Sequence, residues 1–190
     1  QDVLLSITKM VWSVESYADF IEQAIAILSA HEEFALCTIG RPDEHGVFNF
    51  EAAAGSHATS GVQAMLVTPG FQPVIHADDP AGQGPAGRAW RSGKVERIIN
   101  FRTYARLAAW YAQALEEGLR SCAAVPLHAP NQPVAAVMLL FSAFPGGFIG
   151  PHQVAFIDLL QTLLGCAIAR LKERDTGDKA ISIAVRQHWA

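Results

Sequence analysis

Val3, Ile7, Met10, Val14, Tyr17, Ile21, Ala24 and Leu28 are spaced alternately by four and three, so a helical reading of residues 1–30 places all of them on one seam. The seam belongs to one helix, or to two that part near residues 13–16. In the second case Ser16 caps the new helix and Asp19 stands at its third position, where a carboxylate suits the positive end. A seam of this length, just over three heptads, fits an amphipathic helix lying on its own domain and equally a helix that pairs with another subunit.

Strand patterns follow. FALCTI at 34–39 favours β structure, and GRPDEHG at 40–46 is turn chemistry. VFNFEAAA at 47–54 alternates Val47, Asn49 and Glu51 against Phe48, Phe50 and Ala52, which makes the pair a hairpin. Residues 62–67 suit a short helix, stopped by Thr68, Pro69 and Gly70. Pro85 just inside a start and Gly93 at a stop frame a helix over 84–92, and VERII at 95–99 reads as a strand. SCAAVPLH at 121–128 and VAAVMLLF at 134–141 are continuous rather than alternating, as expected of two central strands of an antiparallel hairpin covered on both faces.

The last element is helical. Val154, Phe156, Ile157, Leu160, Leu163, Leu164, Ala167, Ile168 and Leu171 form a broad stripe, and Ile157, Leu160, Leu164, Ala167 and Leu171 repeat the four-and-three step. That face is wider than one sheet needs, which makes it a candidate interface for residues 3–28 of a second copy. Thr176, Gly177 and Asp178 are expected to break the helix and leave 179–190 as a connector.

Composition narrows the class. A chain of 190 residues has room for one domain with a full core, and 51% hydrophobic against 17% charged residues excludes disorder. A net charge of −4 supplies no basic patch, so nucleic acid is a poor partner. Cys37, Cys122 and Cys166 are odd in number, widely separated and set in apolar runs, which predicts reduced, buried thiols in a cytoplasmic setting and no zinc site. No apolar run reaches the ~18 residues of a membrane span, and the start at Gln1 without Met suggests a piece of a longer protein.

Candidate chemistry is sparse. GQGPAG matches GxGxxG at Gly82, Gly84 and Gly87, but Pro80 interrupts the strand that should precede it, and Leu107 and Ala108 stand where the acid ~20 residues on should be. His76, Asp78 and Asp79 sit in a Pro-flanked loop, where acids are usually solvated. Residues 100–118 gather Phe101, Tyr104, Trp110 and Tyr111 with Arg102 and Arg106. Aromatics at this spacing are usually core, yet with arginines beside them they also line pockets for planar or anionic ligands. His128, at a strand end, is structural first and a ligand contact second.

Three stretches now point to a family. GQGPAGRAWRSGKVERIIN, EEGLRSCAAVPL and VAAVMLLF with its FPGGF sequel resemble a GAF domain, of the kind that precedes diguanylate cyclase, phosphodiesterase or histidine-kinase outputs in bacterial signalling proteins. The likeness divides the chain into a helical extension at 1–14, a sensor domain at 15–172 and a connector at 173–190. It implies an α+β fold: a central antiparallel sheet of five or six strands, with the N- and C-terminal helices on one face and pocket-forming connections on the other.

The resemblance also implies a role. Such domains hold cyclic nucleotides, haem, bilins, 2-oxoacids, aromatic metabolites or nothing, and the cofactor here is left unknown. Bilin attachment uses a Cys followed by His, whereas Cys122 precedes Ala123. Free-methionine-sulfoxide reductases of this fold use neighbouring loop cysteines, and the NKFDE-like set of cyclic-nucleotide binders is not present. Haem needs an axial histidine, for which His57, His76 and His128 are candidates. The expectation is therefore a non-enzymatic, ligand-sensing and dimerising regulatory domain that controls cyclic-di-GMP turnover or a kinase. Its pocket residues are Phe50, Trp90, Asn100, Tyr104, Trp110 and Cys122, and it forms a homodimer through terminal helices. The alternatives are a ligand-free dimerisation module, a redox or haem sensor, or a small enzyme.

Overall fold

A computed structural model describes residues 2–31, 34–104 and 109–189. The N-terminal seam is carried by two helices, α1 (Val3–Ser13) and α2 (Tyr17–Ser29). Asp2 begins the first by accepting a hydrogen bond from the Leu4 amide, and Ser16 begins the second by accepting from the Asp19 amide at 3.1 Å. Between them Val14 is extended, which is where the helix parts. Ile7, Met10, Val14, Ile21, Ala24 and Leu28 are all buried in a core formed with one face of the sheet, so the seam lies on its own domain.

The remaining elements are β1 (Leu36–Pro42), β2 (Phe48–Ala54), α3 (Gly61–Val67), a 3₁₀ turn at Pro80–Gly82, α4 (Pro85–Ser92), β3 (Glu96–Ile98), α5 (Phe101–Tyr104), α6 (Ala109–Glu116), β4 (Ser121–Leu127), β5 (Ala136–Ser142) and α7 (Pro151–Trp189). The strands form one antiparallel sheet in the order β2-β1-β5-β4-β3. Along β5, Ala136, Met138 and Leu140 face the terminal helices, while Val137, Leu139 and Phe141 face the opposite core. On β4, Ala123, Val125 and Leu127 face the helices and Cys122 and Ala124 the other side. Both sets are apolar because both faces are covered, and this hides the period of two in the sequence.

Two expectations about ends are corrected. Gly40, read above as turn, lies inside β1, which runs to Pro42; the register shifts between Ile39 and Arg41. A Cβ on Gly40 would fall 2.6 Å from the Phe50 ring and 2.7 Å from the Asn49 carbonyl, so the bulge needs a glycine. The turn itself is made by Asp43, whose Oδ1 accepts from the amides of His45 and Val47, with Gly46 at φ 78°. Nor do Thr176, Gly177 and Asp178 end α7, which continues helical to Trp189. One glycine in a helix interior costs only about 1 kcal/mol, and the Thr176 hydroxyl returns its hydrogen bond to the Lys172 carbonyl of the same helix.

The α7 stripe is also reassigned. Ile157, Leu160, Leu164, Ala167, Ile168 and Leu171 are buried on the sheet with the α1 and α2 seam, so the predicted contact surface is interior. Gly165 lets the helix approach, since a Cβ there would stand 2.1 Å from the His128 carbonyl oxygen. Arg170 then ties α7 to α1: its Nη2 donates to the carbonyls of Val11 at 2.9 Å and Val14 at 2.6 Å, at the negative end of α1. An 18-residue window of α7 has a mean hydropathy of 1.7, and by length and composition alone this helix could cross a membrane. Of that window, 39% is buried in the fold, as part of the seam that lies on the sheet.

Candidate functional site

On the face opposite the terminal helices, α3, α4 and α6 do not close completely over the sheet. Between them is a cavity of about 260 Å³. Its floor is Leu139 and Phe141 of β5, and one wall is Val62, Met65 and Leu66 of α3. Trp110 and Tyr111 of α6 form the opposite wall, and Pro85 and Ala86 at the start of α4 form the end. The segment between α3 and α4 straps the mouth with Phe71, Pro73, Pro80 and Gln83.

The strap is held by backbone contacts. Arg91 of α4 donates from one nitrogen to the carbonyls of Ile75 at 3.0 Å and Gly82 at 2.8 Å. Asp79 caps the 3₁₀ turn by accepting from the Ala81 amide, and the Gln83 side chain donates from Nε2 to the Ala77 carbonyl. Two of the GxGxxG glycines serve this packing: a Cβ at Gly82 would lie 1.8 Å from the His76 carbonyl oxygen, and one at Gly87 would lie 2.4 Å from that of Gly82, whereas one at Gly84 would meet only the Trp110 ring at 3.9 Å.

The wall chemistry is plain. Tyr111 is the only ionisable side chain among the described residues that line the cavity. Burial pushes its hydroxyl up to about 12, so it stays neutral. Of the nearby cations, Arg91 is engaged by the strap, while Arg88 lies 3.7 Å from Glu96 and its positive charge also reaches the Tyr111 hydroxyl and the Cys122 thiol. Gly84 brings no capping side chain to the first turn of α4, whose Ala86 lines the cavity.

Of the six residues selected from sequence, Trp110 lines this cavity. Phe50 is fully buried beneath β2, stacked on Phe48 with ring centroids 5.6 Å apart. Trp90 sits edge-on to Phe48 and lines a separate shallow cleft with His128 and Pro133. Asn100 caps α5 by accepting from the Arg102 amide. Tyr104 lies against the far side of Tyr111 at 5.9 Å, and Phe101 is fully buried beneath Trp110, Tyr111 and Phe141. Arg106, Leu107 and Ala108 fall outside the described residues.

Cys122 and Cys37 are fully buried in the sheet, and burial pushes each thiol up to about 12, which keeps the unreactive protonated form. Cys166 corrects the expectation of three buried thiols, because it is exposed on the outer face of α7. The histidines considered for haem are elsewhere. His57 Nε2 meets the Glu117 carbonyl at 2.9 Å, His76 Nε2 the His45 carbonyl at 3.0 Å, and His128 Nε2 the Gly93 carbonyl at 3.2 Å. No group of three His, Cys, Asp or Glu side chains among the described residues could hold a metal.

Sequence reasoning found one wall and missed the rest. Residues 68–86 contribute through a loop, where no period marks which side chains point inward. The usable signal was four prolines in that stretch, Pro69, Pro73, Pro80 and Pro85, around an aromatic, Phe71. Such a loop is stiff, and it holds apolar surface that it does not bury within itself; Phe71 is 54% exposed at the mouth.

Comparison with known proteins agrees with this architecture. A family model described as GAF domain matches residues 15–169. No curated protein matches in sequence. Among solved structures, the GAF domain of an Acinetobacter phosphoenolpyruvate-protein phosphotransferase is 16% identical, with a TM-score of 0.61 over 92% of this chain and 96% of that one. A free methionine-R-sulfoxide reductase from Neisseria meningitidis, in complex with its substrate, is 16% identical, with a TM-score of 0.63 over 90% and 89%. The Nlh2 GAF domain of A. aeolicus, in an inactive state, is 14% identical, with a TM-score of 0.57 over 88% and 93%. At these identities the likeness is one of fold.

Proposed function

The chain belongs to the GAF domain family, common sensory and regulatory domains of signalling proteins, and from that premise we propose that it is a non-catalytic, ligand-sensing and dimerising module in the cytoplasm that sets the activity of an attached output domain. The observation that carries the sensing half is the cavity of about 260 Å³, open at its mouth, on the sheet face away from the terminal helices and roofed by separate short elements. A ligand there touches α3, the strap, α4 and α6 together. It can shift the domain only by its differential affinity for two arrangements of that roof. The central strand β5 carries floor residues on one face and terminal-helix contacts on the other, so a displaced floor also displaces the helices.

Catalysis is disfavoured by the chemistry of the wall. The two buried thiols stay protonated, and among the described lining residues there is no acid, base or nucleophile in an activated state. A cyclic-di-GMP or kinase output remains part of the proposal.

The dimerising half has its own observation. On the outer side of α7, Ala155, Leu159, Thr162, Cys166, Ala169, Glu173, Thr176, Ala180 and Ile183 step by four and three, and Leu159 and Ile183 are 42% and 57% exposed. From Lys172 to His188 every residue of α7 is exposed, and a bare helical stretch of that length is marginal in water. A second copy of α7 supplies the missing cover.

The test is a thermal-shift screen of small metabolites against the parent chain and Met65→Trp, a half-buried wall position where an indole ring fills the cavity. At least one compound should raise the parent Tm by several degrees and leave the variant unmoved. A screen in which no compound does so favours the ligand-free dimerisation module instead.

A further inference from the structure

We infer that the cavity selects an uncharged aromatic molecule of one or two fused rings. This rests on the sensing role proposed above and names its ligand class. Three features of the walls converge on it.

The first is size. A buried apolar cavity of about 150 Å³ takes one benzene ring, while sites for larger organic ligands run from roughly 300 Å³ upward. At about 260 Å³ this cavity falls between them, which fits an indole, a naphthol or a substituted phenol and is too small to enclose a tetrapyrrole. The second is shape and surface. Phe141 forms floor, Trp110 wall and Phe71 mouth, and the rest is Val, Leu, Met, Pro, Ala and Gly, with Tyr111 and Gln83 as the polar side chains. Trp110 and Tyr111 lie against each other with ring centroids 3.9 Å apart, so each braces the other where a planar guest would meet the α6 wall.

The third is charge. An anion buried without a partner costs several kcal/mol. Among the described lining residues there is no Lys, Arg or His to offset it. Arg91 is spent on the carbonyls of Ile75 and Gly82, and Arg88, whose charge reaches the wall at Tyr111, stands behind the lining and is offset by Glu96 at 3.7 Å. The first turn of α4 could itself attract an anion, but the carbonyl oxygens of Gly82 and Val74 crowd it, as the 2.4 and 2.6 Å approaches at Gly87 record. What that end favours is a modest acceptor on the guest, such as a hydroxyl, ring nitrogen or neutral carbonyl, at the Ala86 side. Phosphate-bearing nucleotides and dicarboxylate tetrapyrroles are thus rejected by the walls.

The experiment uses matched probes that share their rings and differ in charge. Indole and indole-3-carboxylate, then 2-naphthol and 2-naphthoate, are titrated into the whole chain by calorimetry, with 3′,5′-cyclic GMP and haemin alongside. The neutral member of each pair should bind at least about tenfold tighter than its anion. Met65→Arg places a cation at a half-exposed wall without disturbing the buried floor; it should weaken indole and tighten indole-3-carboxylate by about tenfold. Unfolding midpoints of parent and variant show that both are folded. Tighter binding of the carboxylates or of cyclic GMP by the parent overturns the ligand class and leaves the sensing role standing. Binding of none of these probes, with the metabolite screen also silent, overturns both.

Discussion

At single positions, the glycines and cysteines give the clearest consequences. Gly165 and Gly177 share one helix and one residue type, yet only the first has a neighbour that a methyl group would strike. Gly165→Ala must push α7 off the His128 backbone and should cost about 1–3 kcal/mol in urea unfolding. Gly177→Ala meets nothing within 4 Å and should gain about 0.5–1 kcal/mol. Equal effects of the two would mean that the close approach of α7 to β4 is absent in solution. The thiols make a pH prediction. Cys37 and Cys122 ionise at about 12 when folded against 9.0 ordinarily, and Tyr17 and Tyr111 at about 12 against 10.0. Between those values the unfolded chain holds fewer protons than the folded one, so stability falls as pH rises from about 9 towards 12. Urea midpoints at pH 7, 9 and 10.5 should decline in that order, and Cys122→Val should flatten the slope. A midpoint that does not move up to pH 10.5 would show the thiols ionising as they do in the unfolded chain.

Elements were legible wherever burial imposes a period. The α1 and α2 seam, the Ser16 cap, α4 between Pro85 and Gly93, and the two-sided strands β4 and β5 all follow from spacing that a covered surface enforces. Ends were harder, because at an end the decisive contact is remote in sequence. Gly40 reads as a turn residue until Phe50 is known to lie over it, and Gly177 reads as a stop although nothing in the fold requires α7 to stop there. For the cavity, Trp110 was visible as part of an aromatic cluster, but Phe50 and Cys122, chosen with it, belong to the floor's interior rather than its surface. Which side of a sheet residue meets a void is fixed by the roof above it, and that roof is aperiodic. One contact invisible in sequence deserves a direct test at this scale. Arg170 reaches from α7 to the last carbonyls of α1 across more than 150 residues of chain. Arg170→Met keeps the aliphatic stem and removes those bonds, so it should cost about 1–3 kcal/mol. Hydrogen exchange should then accelerate in α1 while β4 and β5 keep their protection. Uniform acceleration would mean that α1 does not open as a separate unit.

For the whole molecule, the question is which surface a second copy would use. The inward seam of α7 is occupied by the sheet, and the outward stripe has the right spacing and is exposed apart from the half-buried Ala169, which borders a groove with the 128–135 segment. Cys166 lies on that stripe and is the exposed one of the three cysteines, which makes it a position-specific reporter. If two α7 helices pair in parallel about a two-fold axis, equivalent stripe positions face each other, and paired thiols come within the 4.4–6.8 Å Cα separation that a disulfide spans. Mild oxidation of the chain should therefore yield a covalent dimer in high proportion, and Cys166→Ser should abolish it. The buried thiols of Cys37 and Cys122 cannot substitute while the fold is intact. Glu173 occupies the same stripe, where two carboxylates would meet across the axis, so Glu173→Leu should tighten the dimer and lower its dissociation constant in sedimentation. An antiparallel pair would tighten in the same way without cross-linking. A chain that sediments as a monomer at tens of micromolar, in both parent and Glu173→Leu, would remove α7 as the route by which an occupied cavity reaches another subunit.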